Sequence, residues 1–189
     1  MAVNKSKERF FAGMETLNHS GEPMSGNAST VGKIQKEMIG HGLLIMTMTL
    51  VAGLGLWMFL LGGFEVVPGY IIHFQVPGSA DGWARAHRGT PMNSLMVLAI
   101  AAVLPKIPVP ERVAVRCGWI VVWTGWANTV FYFASNFSTN RGLSFGANAF
   151  GAGDMAAIIA LAPAYLFGLL SFVVTAYLGF KSLRSDGDN

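Results

Sequence analysis

Apolar positions in this chain fall into four blocks that charge avoids. No Asp, Glu, Lys, Arg or His occurs from Gly42 to Phe64, Gly89 to Pro105, Cys117 to Asn140 or Met155 to Phe180. A helix needs roughly 20 predominantly apolar residues to cross about 30 Å of hydrocarbon. Three blocks clear that length. The second is short and bracketed by Pro91 and Pro105, so a re-entrant or interfacial segment is its alternative. Its uninterrupted run from Leu95 to Leu104 favours a span. The pattern predicts an all-α integral membrane fold with four transmembrane helices, at about 41–63, 91–105, 111–134 and 154–180. Ser29 or Thr30 is placed to cap a helix leading into the first span, and Asp154 to cap the fourth. Pro163 predicts a kink.

The connecting segments differ in character. Phe64–Arg88 carries Val66, Val67, Tyr70, Ile71, Ile72, Phe74 and Val76, with turns at Pro68-Gly69 and Pro77-Gly78. It is expected to lie in the membrane interface and pack on the bundle. Trp57, Trp83, Tyr70 and Tyr132 fall near predicted interfaces, where such side chains collect. The loop Ser135–Gly153 is dense in Asn, Gly and Phe. Residues 1–30 are rich in Ser, Asn, Gly, Glu and Lys and read as a flexible cytoplasmic tail. Met1–Leu17 has the makings of a weak amphipathic helix. The membrane domain then covers 31–183.

Composition supports this reading. The chain is 52% hydrophobic and 12% charged, against about 25% charged in soluble domains. The pI near 9.2 does not point to nucleic acid, because the cations sit where topology wants them. Lys5, Lys7, Arg9, Lys33 and Lys36 precede the first span. Lys106, Arg112 and Arg116 separate the second from the third, and Lys181 and Arg184 follow the fourth. Only Arg85, Arg88 and Arg141 fall in the other two loops. Both termini are therefore expected in the cytoplasm. The single Cys117 excludes an internal disulfide framework and reads as a buried apolar side chain.

Polar chemistry gathers where apolar residues should dominate, at Gly82-Trp83-Ala84-Arg85-Ala86-His87-Arg88 and Pro91-Met92-Asn93. Topology brings His87 and Asn93 to the membrane edge that also holds Asn128, Tyr132 and Asn136. These last three are spaced i, i+4, i+8 and form one helical stripe. Each has a plainer reading. His87 can simply bond a backbone carbonyl. Asn128 and Asn136 can be interhelical hydrogen-bond partners, and Tyr132 a belt tyrosine. Arg85 and Arg88 can snorkel, and Glu65 and Asp81 can be solvated loop acids. Standard signatures for thiol, zinc, serine-hydrolase or phosphate chemistry are missing. The histidines, His19, His41, His73 and His87, are too dispersed for a polynuclear metal site. A single axial ligand to a planar cofactor stays open, since haem iron needs only one protein imidazole.

At these residues the sequence resembles the styrene oxide isomerases, bacterial integral-membrane enzymes of styrene degradation. The matching segments run in order. They are Gly40-His-Gly-Leu-Leu, Gly55-Leu-Trp-Met, Gly62-Gly-Phe-Glu-Val-Val-Pro-Gly-Tyr-Ile-Ile, Val76-Pro-Gly-Ser, Gly82-Trp-Ala-Arg-Ala-His, Gly125-Trp-Ala-Asn, Ser135-Asn-Phe-Ser, Asn140-Arg-Gly-Leu and Ala160-Leu-Ala-Pro-Ala-Tyr-Leu-Phe-Gly. The resemblance covers about residues 36–180. It implies a trimer in the bacterial inner membrane that binds ferric haem b near subunit interfaces. It implies isomerisation of an apolar aryl epoxide, styrene oxide, to an aldehyde, phenylacetaldehyde. By the same resemblance His87 is the axial iron ligand, and Asn93 and Tyr132 are the active-site residues. Arg85 or Arg88 is then placed to pair with haem propionates; Arg85 is the expected cofactor contact. The competing reading is a haem-bearing membrane electron-transfer subunit.

Overall fold

The structure, a computed structural model, describes residues 29–184. The expected amphipathic helix over 1–17 and His19 lie outside the described residues. Four long helices and one hairpin follow in order: α1 (Thr30–Leu61), β1 (Gly63–Val67), β2 (Tyr70–His73), α2 (Ala80–Val103), a 3-10 turn over Leu104–Lys106, α3 (Glu111–Ser135) and α4 (Met155–Arg184).

Local chemistry sets most of these limits. Ser29, rather than Thr30, caps α1, its hydroxyl accepting from the Gly32 amide at 3.1 Å. The helix stops at Gly62, whose φ of 68° is left-handed and cheap only for glycine. Pro68-Gly69 then turns β1 into β2, with Gly69 at φ 83°. Glu65 is no idle loop acid, because its carboxylate accepts from the Gly69 amide at 2.8 Å and closes the turn. The hairpin packs on the bundle less than expected. Gly63 is buried, but Val66, Val67, Tyr70 and Ile72 are exposed. Val76, beyond the hairpin, is the apolar residue of this segment that goes under.

α2 departs most from expectation. It starts at Ala80, so the polar run 82–88 is helical, and Pro91 lies inside the helix instead of bracketing it. The Ser79 hydroxyl caps the helix at the Gly82 amide, 3.0 Å away, and Asp81 sits in the first turn. Trp83, Ala86, Thr90, Asn93, Val97 and Ala101 recur at three- and four-residue spacing and are all buried. That buried stripe outweighs the cost of a proline, which removes one amide and crowds the carbonyl four residues earlier. Trp83 is not a belt residue. It is 9% exposed, and its indole N–H donates to the Pro77 carbonyl at 3.0 Å.

Asp154 caps α4 as expected, accepting from Ala157 N through one oxygen and Thr139 N through the other. The Thr139 amide, and next the Ala157 amide, hold this carboxyl below the ordinary aspartate range. The loop before it is organised by fully buried Asn140, which donates to the Ser144 and Gly146 carbonyls at 2.8 Å each.

α1, α2 and α3 pack against one another, and α4 rests on α3. The apolar core fills the end away from the hairpin, from Ile34, Met38 and Ile45 through Val97, Val121 and Val122 to Leu178. Cys117 is buried there as a free thiol. Towards the hairpin the contacts turn small and polar. Trp83 lies on Gly55, where a Cβ would fall under 3 Å from the indole ring. α1 and α4 are each long and apolar enough to cross a membrane. α2 and α3 begin with charged turns, at Asp81, Arg85 and Arg88 and at Glu111, Arg112 and Arg116. Leu43, Leu50, Leu60, Leu166, Phe172 and Phe180 stand exposed on α1 and α4. So much bare apolar surface suits a bilayer rather than water.

Candidate active site

α2 carries the polar residues singled out above, and it divides them between two sides. Positions 87 and 89 are about 200° apart on a helix. His87 therefore meets α1, while Gly89 and Asn93 meet α3.

On the α1 side the His87 ring lies over Gly53. A Cβ at residue 53 would come within 2.9 Å of its Cε1 and Nδ1 but stay 3.7 Å from Nε2. The Thr49 carbonyl is 3.1 Å from Nδ1. A carbonyl only accepts, so Nδ1 carries the proton and donates it. In the neutral ring this leaves the Nε2 lone pair free. The residue is exposed at the bundle surface. The plain reading of His87, a bond to a backbone carbonyl, is thus correct for one nitrogen. It is also the arrangement that orients a metal-ligating imidazole. One fixed imidazole with an accessible Nε2, above a glycine that makes room for it, fits a singly ligated porphyrin. Two hydroxyls in this part of the protein, Thr49 Oγ1 and Thr90 Oγ1, are buried without hydrogen bonds among the described residues.

On the α3 side the stripe of Asn128, Tyr132 and Asn136 faces α2. Asn128 donates to Asn93 Oδ1 at 3.0 Å, and Asn93 in turn donates to the Gly89 carbonyl at 3.2 Å. Asn93 is 8% exposed, and its carboxamide is fixed at both ends with one N–H left over. The Tyr132 ring lies flat against Gly89, in space that any Cβ at that position would occupy. Its hydroxyl makes no hydrogen bond among the described residues. Asn136 stands apart from this pair. It accepts from the Ser79 amide at 2.9 Å and wedges between Gly78 and Gly82, holding the start of α2.

Arg85 points to neither group. Its Nε is 3.2 Å from Asp81 Oδ2, and Arg141 reaches the same oxygen at 3.6 Å. Arg141, at φ 60°, also stacks over Phe150 at 4.2 Å. Asp81 is half exposed, as a solvated acid would be, but it sits in the first turn of α2 rather than in a loop and draws both arginines to one oxygen. Arg88 bonds the Ala84 carbonyl of its own helix. His41 is remote from His87, accepting from the Trp126 indole at 3.1 Å, and His73 lies on β2. Among the described residues no three His, Cys, Asp or Glu side chains cluster as a metal site.

The sequence reading missed Thr49, Gly53 and Gly89. A glycine at 53 could signal close helix contact but not which side chain fills the space, and nothing in a linear sequence pairs residue 49 with residue 87.

Comparison with known proteins shows the family. The family model described as styrene oxide isomerase matches residues 34–183. A styrene-oxide isomerase from Pseudomonas fluorescens is 52% identical over 153 residues, which is 81% of this chain and 90% of the relative.

Proposed function

The chain belongs to the styrene oxide isomerase family and is an isomerase; from that premise we propose that it converts aryl epoxides to aldehydes at ferric haem b held by His87. Styrene oxide to phenylacetaldehyde is the reaction we assign. The observation that carries the cofactor reading is the His87 ring itself, pinned through Nδ1 to Thr49 O and open at Nε2.

When bound, ferric haem supplies a Lewis acid for the epoxide oxygen. The chain's own residues do the rest. Thr49 O fixes the tautomer and aim of His87. Asn93, held by Asn128 and Gly89, offers its remaining N–H to the oxygen. Tyr132 offers its unpartnered O–H to the same atom. Negative charge grows on that oxygen as the benzylic C–O bond breaks, and fixed donors in a dry site stabilise it. A hydride then moves from the neighbouring carbon to the benzylic carbon, and the C=O bond forms. Nothing is gained or lost, so no redox partner is needed. Apolar walls keep out the water that would give a diol.

His87 and the Asn93–Tyr132 pair lie on different sides of α2. This favours a site shared between chains, in which the α1–α2 face of one protomer meets the α2–α3 face of the next. A trimer of four-span protomers in the bacterial inner membrane, termini in the cytoplasm, closes such a ring. The apolar substrate then arrives through the lipid. Arg85 is the residue we assign to a haem propionate, through guanidinium N–H groups that Asp81 leaves free.

The visible spectrum of the detergent-solubilised protein tests the reading. A Soret band that shifts on adding styrene oxide, with aldehyde formed and no electron donor present, is the expected result. A colourless active protein overturns the haem assignment.

A further inference from the structure

At the end away from the hairpin, α2 and α4 flank α3 without approaching each other. Between them lies a groove of about 420 Å³, within the ~300–1,000 Å³ of small-molecule sites. Ile100, Val103 and Ile107 form one wall and Leu178 and Gly179 the other, with Lys106 at the mouth. The lining is mainly apolar. The Lys106 ammonium has no ion pair among the described residues, since both ion pairs there belong to Asp81 at the opposite end. Lys181 and Arg184 add positive charge in the last turn of α4. An apolar slot beneath cations that are unpaired among the described residues matches an amphiphile with one long chain and an anionic head. A zwitterionic headgroup sets its own ammonium beside the phosphate and so answers the lysine more weakly than an anionic one.

We propose that this groove binds an anionic phospholipid, one acyl chain between α2 and α4 and the phosphate over Lys106. The proposal rests on the membrane reading and is independent of the haem. Gly179 supplies a clean probe. A Cβ built there meets nothing within 4 Å, so leucine starts without a backbone clash, favours the helix and takes up space in the groove that Gly179 lines.

The experiment is native mass spectrometry of the full-length protein, released from detergent with added phosphatidylglycerol or phosphatidylcholine of identical chains. Wild type should retain the anionic lipid about fivefold better, the worth of one lysine beside an anionic surface. Lys106→Gln should remove most of that preference, Lys181 and Arg184 holding the remainder. Gly179→Leu should lose both adducts while helicity and oligomer mass stay unchanged. Equal retention of the two lipids by wild type, or undiminished adducts in Gly179→Leu, overturns the proposal. A changed oligomer mass in Gly179→Leu also overturns it, by giving the groove to a second copy of the chain. Carbonate extraction of cell membranes separates the failures. Release of the chain sinks the membrane reading, whereas a retained chain without lipid preference sinks the groove alone.

Discussion

The two sides of α2 are built on opposite plans. Towards α3, polar groups answer one another. Asn128 holds Asn93, Asn93 holds the Gly89 carbonyl, and the Tyr132 ring is set on bare backbone. Towards α1, one imidazole bonds one carbonyl, and its second nitrogen is left at the surface. The first plan fixes donors in place, and the second leaves a lone pair unclaimed. Transition-state stabilisation needs donors that do not reorganise, whereas a metal needs a lone pair that nothing else has taken. One helix serves both because a two-residue step carries the chain to its other side.

Breaking the α1 side should have the largest effect. His87→Ala is expected to lose the Soret band and turnover together, read by absorbance and aldehyde formation. Full haem content in that variant would remove the ligand assignment and with it the contrast between the sides. Breaking the α3 side should spare the cofactor. Tyr132→Phe is expected to keep haem and the folded oligomer while kcat falls roughly 10²- to 10³-fold, the cost of one donor to a developing oxyanion. Unchanged turnover at saturating epoxide would make Tyr132 a packing residue. Gly53→Ala sharpens the comparison with the smallest change. Its methyl meets the His87 ring at 2.9 Å, and the imidazole must tilt away from Thr49 O. Haem affinity should drop about 10- to 100-fold, as when a ligand loses its orienting partner. The kcat of the loaded fraction should hold. An equal fall in kcat would mean that the two sides are not separable.

Much of this was legible in the sequence. The four helices followed from charge-free blocks, and the cap at Asp154 from residue type alone, while residue type narrowed the first cap only to Ser29 or Thr30. The stripe of Asn128, Tyr132 and Asn136 followed from helical spacing, which puts the three on one face but does not say that the face meets α2. The start of α2 was misread because Arg85, His87 and Arg88 break the apolar run and Pro91 resembles a boundary. The correcting signals were local: a Ser79 cap, Asp81 in the first turn, an Asp81–Arg85 pair four residues apart, and Trp83, Ala86 and Thr90 at helical intervals. Thr49 and Gly53 were out of reach for a different reason. Their roles depend on how far α1 slides along α2, and side-chain packing decides that after the helices exist.

The floor beneath Tyr132 is main chain, because residue 89 has no side chain to trim. Anyone reshaping this enzyme for bulkier epoxides by directed evolution therefore has nothing to remove at that position. Every enlargement at 89 expels the ring, and every gain in room must come from the tyrosine itself, which surrenders its hydroxyl. With Tyr132 as the proposed donor, substrate breadth and rate are coupled at this spot, and libraries that randomise 89 and 132 together should yield few improved variants.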